Sequence, residues 1–209
     1  MKVKLKICGM RDAVNIQRVG ELHPDYMGFI FYPRSPRFVG DYFQIPAAFP
    51  DNVLKVGVFV NESTDVILNS VERIPLDFVQ LHGDETVEMC DALKQKGIGV
   101  IKVFSVDDQY DFKATENYQS VADYLLFDTK GKYYGGNAKK FDWQVLNRYN
   151  QKVPFFLSGG ISADDIAAVS ELKDMNLHAL DVNSGVEVKP GTKDLDKIRQ
   201  LQSNMLISK

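Results

Sequence analysis

Two reactive side chains end strand-like runs that lie far apart in the chain. Cys8 closes Val3-Lys4-Leu5-Lys6-Ile7-Cys8, and Asp128 closes Tyr124-Leu125-Leu126-Phe127-Asp128. Where strands alternate with helices, the C-terminal ends of the strands open onto the ligand face. A thiol and a carboxyl group gathered there can form a proton-transfer pair, one as base and the other as acid. Each also has a plainer role, because a free cysteine commonly packs as a small buried hydrophobe and an aspartate commonly closes a turn. Cys90, inside the helical run Val87-Glu88-Met89-Cys90-Asp91, fits that plainer role. The two cysteines have neither metal-type nor redox-type spacing.

Two loops near the end of the chain suit an anion. One run ends in Ser158-Gly159-Gly160-Ile161-Ser162, with Ser162 or Ala163 opening a helix. Another ends in Asp181-Val182-Asn183-Ser184-Gly185, which can start a short helix at Ser184. Glycine lets backbone N–H groups approach phosphate oxygens closely, and helix N-termini favour negative charge. A glycine pair can also simply make a tight turn. Two such loops on adjacent strands favour phosphate, since barrels often use the loops after strands seven and eight for it.

Eight β-branched or aromatic runs must position these groups: Val3–Cys8, Tyr26–Phe31, Val53–Val60, Asp77–Leu81, Ile98–Phe104, Asp123–Asp128, Pro154–Ser158 and His178–Asn183. Helical periodicity fills Asp12–Leu22, Ser63–Arg73, Glu85–Lys96, Phe141–Tyr149, Ala163–Leu172 and Leu195–Met205. It is weak over Asp41–Phe49, which contains Pro46, and over Gln109–Gln119. Alternation of this kind implies parallel pairing, because each return crossover needs a dozen or more residues. Eight units of about 26 residues each favour a closed ring over an open doubly wound sheet. The expected fold is an α/β class (β/α)8 TIM barrel, a single domain over residues 1–209, with no linker or composition shift to divide it. Strand alternation turns Val3, Leu5 and Ile7 toward the helices. It turns Lys4, Lys6 and Cys8 inward, as it does Phe78, Gln80 and His82, and Tyr124, Leu126 and Asp128.

Composition narrows the function classes. The 25 basic and 28 acidic residues give a net charge of −3, which excludes a generally basic nucleic-acid binder. No apolar run reaches the ~18–20 residues of a membrane span, and the N-terminus lacks the apolar stretch of a signal peptide. A cytoplasmic protein without membrane or nucleic-acid partners is expected. The only histidines are His23, His82 and His178. That is too few for a metal-dependent epimerase, whose ion needs several converging ligands, so no metal and no cofactor are expected.

A series of ordered motifs resembles the phosphoribosylanthranilate isomerase family. They are Lys6-Ile7-Cys8-Gly9-Met10, Gly28-Phe29-Ile30-Phe31-Tyr32-Pro33-Arg34-Ser35-Pro36-Arg37, Val56-Gly57-Val58-Phe59-Val60-Asn61, Val79-Gln80-Leu81-His82-Gly83, Phe127-Asp128-Thr129, Tyr134-Gly135-Gly136 with Phe141-Asp142-Trp143, and the two phosphate-type loops. The resemblance implies an Amadori rearrangement of N-(5-phosphoribosyl)anthranilate in tryptophan biosynthesis, with Asp128 as general acid and Cys8 as general base. It implies that Arg37 holds the anthranilate carboxylate, which a planar guanidinium suits. Phosphate would then sit on Gly159, Gly160, Asn183, Ser184 and Gly185. His82 either lines the pocket or is a satisfied core histidine. Asp181 either orients substrate hydroxyls or only pairs with Lys4 or Lys6. A thiol of pKa about 8.5 benefits from nearby positive charge if it is to act as a base, and Lys6 is placed to supply it.

By the same resemblance, Gly131 to Lys140 forms a flap over the substrate. Its Asn137-Ala138 step departs from the small-Gly step expected there. The partner expected is a small phosphosugar-anthranilate substrate, and monomer and homodimer are equally compatible with the pattern. A synthase-type phosphate barrel, using Lys6 or Lys102 as a catalytic lysine, and the histidine-pathway aminoaldose as substrate are the competing enzymes. A phosphosugar-binding module without chemistry is the competing class.

Overall fold

A computed structural model of the protein describes residues 3–131 and 141–207. Eight strands form a closed parallel barrel in chain order: β1 (Lys4–Ile7), β2 (Tyr26–Ile30), β3 (Leu54–Phe59), β4 (Phe78–Leu81), β5 (Gly99–Val106), β6 (Tyr124–Thr129), β7 (Phe155–Leu157) and β8 (Leu177–Val182). All eight fall within or beside the runs expected from alternation. The ring closes where β1 pairs with β8, a register that sets Lys6 directly opposite Asp181.

The crossovers are less regular than their sequences suggest. Helices α1 (Ala13–Gly20), α2 (Thr64–Arg73) and α3 (Val87–Gln95) start at Asp12, Ser63 and Thr86, whose side chains accept a hydrogen bond from the first helical turn. Such caps satisfy backbone donors that the helix itself leaves open. The helix expected over Phe141–Tyr149 is instead a 3₁₀ segment, Trp143–Arg148, capped by Asp142. That expected over Ala163–Leu172 is a single α turn, α4 (Ile166–Val169), with a 3₁₀ turn on each side. The weak segment Gln109–Gln119 holds a 3₁₀ helix, Phe112–Tyr118, and the proline-bearing stretch before β3 holds only turns. Helix α5 (Leu195–Ile207) lies against the 3₁₀ turn at Ala163 and against α4, with Asn204 donating to the Ala163 carbonyl and Gln202 to that of Leu22. A two-stranded hairpin not read from sequence, β9 (Glu187–Lys189) with β10 (Thr192–Lys193), precedes it.

Side chains divide into two cores. Leu5, Ile7, Phe29, Leu81, Val100, Phe127 and Leu180 belong to the larger one between strands and helices. Tyr26, Val56, Ile101, Val103, Leu126, Phe156 and Ala179 fill the barrel itself, with Phe78 and Tyr124 packed against them. At the lower end His178 lies among aromatic rings, 4.2 Å between centroids from Tyr124, with its Nε2 2.7 Å from the Tyr26 hydroxyl. Burial and the nearby Lys4 lower this imidazole to about 4.

The unfolded chain takes up that proton near pH 6.5. Stability from the neutral ring is therefore fully present above 6.5 and lost as pH falls toward 4. For a half-buried ring the effect is on the order of 1 kcal/mol. Urea midpoints should fall more steeply over that interval in the wild type than in His178→Asn. Parallel pH dependences would remove His178 as the source.

Candidate active site

At the upper end, the strand C-termini surround one cavity. Its wall changes character around the ring. Beyond the ends of β7 and β8 it is built by Ser158, Gly159, Gly160, Asn183 and Ser184. Cys8, Gln80, His82, Asp128 and Asp181 form the middle, and Ile30, Tyr32, Ser35, Arg37, Val58 and Val60 form the side toward β2 and β3. Nine of the ten residues singled out from sequence thus face one space. Gly185 stands behind it, so close to the Ile161 carbonyl that a Cβ there would lie 2.1 Å from the oxygen.

Backbone pairing explains this convergence. Cys8 follows β1 with its N–H still bonded to the Val182 carbonyl (2.8 Å), and His82 follows β4 with its N–H on the Phe59 carbonyl (2.9 Å). Asp128 lies within β6, and its Oδ1 accepts the Thr129 N–H at 2.9 Å. On the glycine-rich side, Gly159 and Gly160 have φ of 109° and 72°, a region that side chains avoid. A Cβ on Gly159 would also strike the Thr129 hydroxyl at 2.2 Å. Ser162 then opens the next turn through a capping box with Asp165, and a 3₁₀ turn starts at Ser184.

The electrostatics of the middle zone are set by burial. The fully buried Lys6 ammonium donates to Asp181 Oδ1 (2.8 Å) and Gln80 Oε1 (2.7 Å). Burial works to lower the Lys6 pKa, but Asp181 and Cys8 outweigh it and the net direction is up. Asp181 pairs with Lys6, one of the two lysines anticipated for it, and also lines the cavity. Lys6 does pull the Cys8 thiol down, as expected from sequence. Burial is the larger effect, though, and with Asp181 nearby the thiol is pushed up overall. Charge placement is legible from alternation, whereas desolvation depends on how completely the ring closes. His82 is half-buried at the cavity, its Nδ1 3.1 Å from Gln80 Nε2 and its Nε2 3.4 Å from Asp128 Oδ2.

Arg37 is neither solvated nor free. Its Nε and Nη2 donate to both carboxylate oxygens of Glu187, with contacts of 2.9, 3.2 and 2.7 Å. The buried Lys193 ammonium donates to the same carboxylate (2.8 Å) and to Asn183 Oδ1 (2.7 Å). Burial opposes ionisation of Glu187, but Arg37 and Lys193 prevail and its pKa falls. Burial lowers Lys193 to about 8 against the pull of Glu187. Glu187 and Lys193 were missed from sequence. Their signal is Val186-Glu187-Val188-Lys189-Pro190-Gly191-Thr192-Lys193, a Pro-Gly turn between alternating residues, which reads as a hairpin.

Other expectations fall elsewhere. Lys102 does not line the cavity; it is bound by Glu85 Oε2 (2.9 Å) and the Leu81, Gly83 and Val103 carbonyls. With Lys6 paired inside the barrel as well, the synthase-type alternative has no uncommitted lysine among the two it relied on. The expected flap and its Asn137-Ala138 step lie, apart from Gly131, outside the described residues. Among the described residues, no group of three or more His, Cys, Asp or Glu side chains could hold a metal ion. None of the described helices is long and apolar enough to cross a membrane.

Comparison with known proteins identifies the family. The model of the N-(5′-phosphoribosyl)anthranilate isomerase family matches residues 5–204. The isomerase of that name from Parabacteroides distasonis is 40% identical over 205 residues, covering 97% of this chain and 93% of the relative. The crystal structure of phosphoribosyl anthranilate isomerase from Thermotoga maritima superposes with a TM-score of 0.85 at 34% identity, covering 98% of each chain. An isomerase solved in complex with reduced 1-(o-carboxyphenylamino)-1-deoxyribulose 5-phosphate superposes at 0.80 with 31% identity, again covering 98% of each. The chain belongs to the N-(5′-phosphoribosyl)anthranilate isomerase family.

Proposed function

We propose that this protein, as one catalytic domain, rearranges N-(5′-phosphoribosyl)anthranilate to 1-(2-carboxyphenylamino)-1-deoxyribulose 5-phosphate in tryptophan biosynthesis. The observation that carries the proposal is the single cavity whose three zones match the three parts of that substrate. The glycine-rich side, with Gly159, Gly160, Asn183 and Ser184 in the wall and Gly185 behind it, suits a phosphate. The apolar wall of Ile30, Val58 and Val60 beside Arg37 suits a carboxylated aryl ring. Glu187 occupies the Nε–Nη2 edge of Arg37, which leaves the Nη1 edge for a second carboxylate. The sugar then spans the zone of Cys8, His82, Asp128 and Asp181.

In this scheme Asp128 protonates the furanose ring oxygen, the C1′–O bond breaks, and the anthranilate nitrogen becomes an iminium. Cys8 removes the C2′ proton, and the electrons left on C2′ neutralise the iminium to give an enolamine. Proton return at C1′ and loss of the C2′ hydroxyl proton give the ketone. Turnover needs a proton on Asp128 and none on Cys8, although burial favours the thiol. A cation beside a thiol favours the thiolate, and the iminium provides one.

Turnover is expected without added metal and unchanged by EDTA, read as loss of anthranilate fluorescence. The histidine-pathway aminoaldose, run in parallel, should be converted poorly. Cys8→Ser should lower the rate at least ~10²-fold; a variant as fast as wild type would remove Cys8 from the mechanism. Arg37→Ala should raise KM with a smaller change in kcat, since it acts on both ground and transition state. An unchanged KM would count against the carboxylate contact.

A further inference from the structure

Five side chains, all buried but the half-buried His82, form a continuous polar chain across the barrel, from β8 through β1 and β4 to β6. It runs from Asp181 to Lys6 (2.8 Å), Lys6 to Gln80 Oε1 (2.7 Å) and Gln80 Nε2 to His82 Nδ1 (3.1 Å), then reaches Asp128 Oδ2 at 3.4 Å from His82 Nε2. Each link dictates the next. An ammonium only donates, so the Gln80 oxygen must face Lys6. The Gln80 NH₂ then faces His82 and aims an N–H at Nδ1. That nitrogen must accept, which puts the imidazole proton on Nε2. Turning the amide over would set its donors against Lys6, and Gln80 is too buried for water to compensate.

His82 Nε2 is itself buried and has no hydrogen-bond partner among the described residues. The Asp128 carboxylate lies 3.4 Å from it without forming a hydrogen bond. Catalytic hydrogen bonds commonly tighten only when substrate is bound.

We infer that Lys6 and Gln80 are positioning residues that hold His82 as the Nε2–H tautomer, so that this N–H binds the Asp128 carboxylate formed when the acid gives up its proton. His82 neither gains nor loses a proton in this role; the bond stabilises negative charge as it develops. The inference rests on Asp128 being the acid, but its first test does not depend on activity.

In ¹⁵N spectra of the full-length wild type at neutral pH, the ring signals assigned by their loss in His82→Gln should show protonated Nε2 and unprotonated Nδ1. Gln80→Glu keeps an oxygen toward Lys6 and presents a second one to Nδ1, so the proton should move to Nδ1. A protonated Nδ1 in the wild type, or a tautomer unmoved by Gln80→Glu, would overturn the inference.

A second test uses rescue. The glutamine amide can replace an Nε2–H donor, so His82→Gln should keep kcat roughly ten- to a hundredfold above His82→Leu, the range for a hydrogen bond to a charged group. Equal losses in the two would also overturn it. Wild-type-like turnover of Asp128→Asn would fail the acid assignment instead, and would leave the tautomer result standing.

Discussion

Asp128→Asn should lower kcat at least ~10²-fold while KM stays within a few-fold of wild type. The amide is the same size and keeps an oxygen for the Thr129 N–H that Asp128 Oδ1 now accepts at 2.9 Å, so the strand end should be undisturbed. An amide N–H cannot be given up to the ring oxygen, and general acid catalysis of this kind is worth about 10²–10⁴ in rate. Because the lost proton transfer occurs only in the transition state, the effect belongs in kcat and kcat/KM together. Steady-state fluorescence assays with phosphoribosylanthranilate measure both. A variant with wild-type kcat would take Asp128 out of the mechanism.

Lys6→Met should be the most damaging single change to the fold, at about 3–5 kcal/mol, the typical cost of leaving a buried charge without its partner. Methionine nearly matches the length of the lysine stem, so little volume is lost. What changes is that Asp181, opposite Lys6 in the β1–β8 register, loses its cation, and Gln80 Oε1 loses a donor. The sign with pH follows. An unpaired buried carboxylate has its pKa raised. The variant's folded state therefore takes up a proton that its unfolded state does not, and its deficit relative to wild type shrinks as pH falls. Urea titrations at pH 7 and pH 5 would show this. A deficit below about 1 kcal/mol at pH 7, or one that widens in acid, would mean that the pair contributes little.

What could be read from sequence divides along physical lines. Period-two alternation with β-branched and aromatic residues located all eight strands, because a strand inside a closed ring has one face to the helices and one to the interior. Once the strands are placed, their C-terminal neighbours must converge. Cys8, His82, Asp128, Asp181 and the loops after β7 and β8 were legible for that reason. The helical crossovers were less so. Trp143–Arg148 and Phe112–Tyr118 carry helix-compatible residues and good aspartate caps, yet the geometry between successive strands leaves them tight 3₁₀ turns.

Long-range pairing was legible only where alternation put both partners on the inward face, as for Lys6 and Asp181. Arg37 and Glu187 lie 150 positions apart, and no local pattern marks either as the other's partner. Net pKa directions were also beyond reach, since the Lys6 charge beside Cys8 could be anticipated but the larger contribution of burial could not.

The barrel interior is divided into storeys. Tyr26, Phe78, Tyr124, Phe156 and His178 make an aromatic foundation, while the charged and thiol-bearing groups occupy the floor above. The foundation therefore answers for packing alone, whereas Lys6, held by Asp181 and Gln80, ties the endurance of the ring to the chemistry at its mouth.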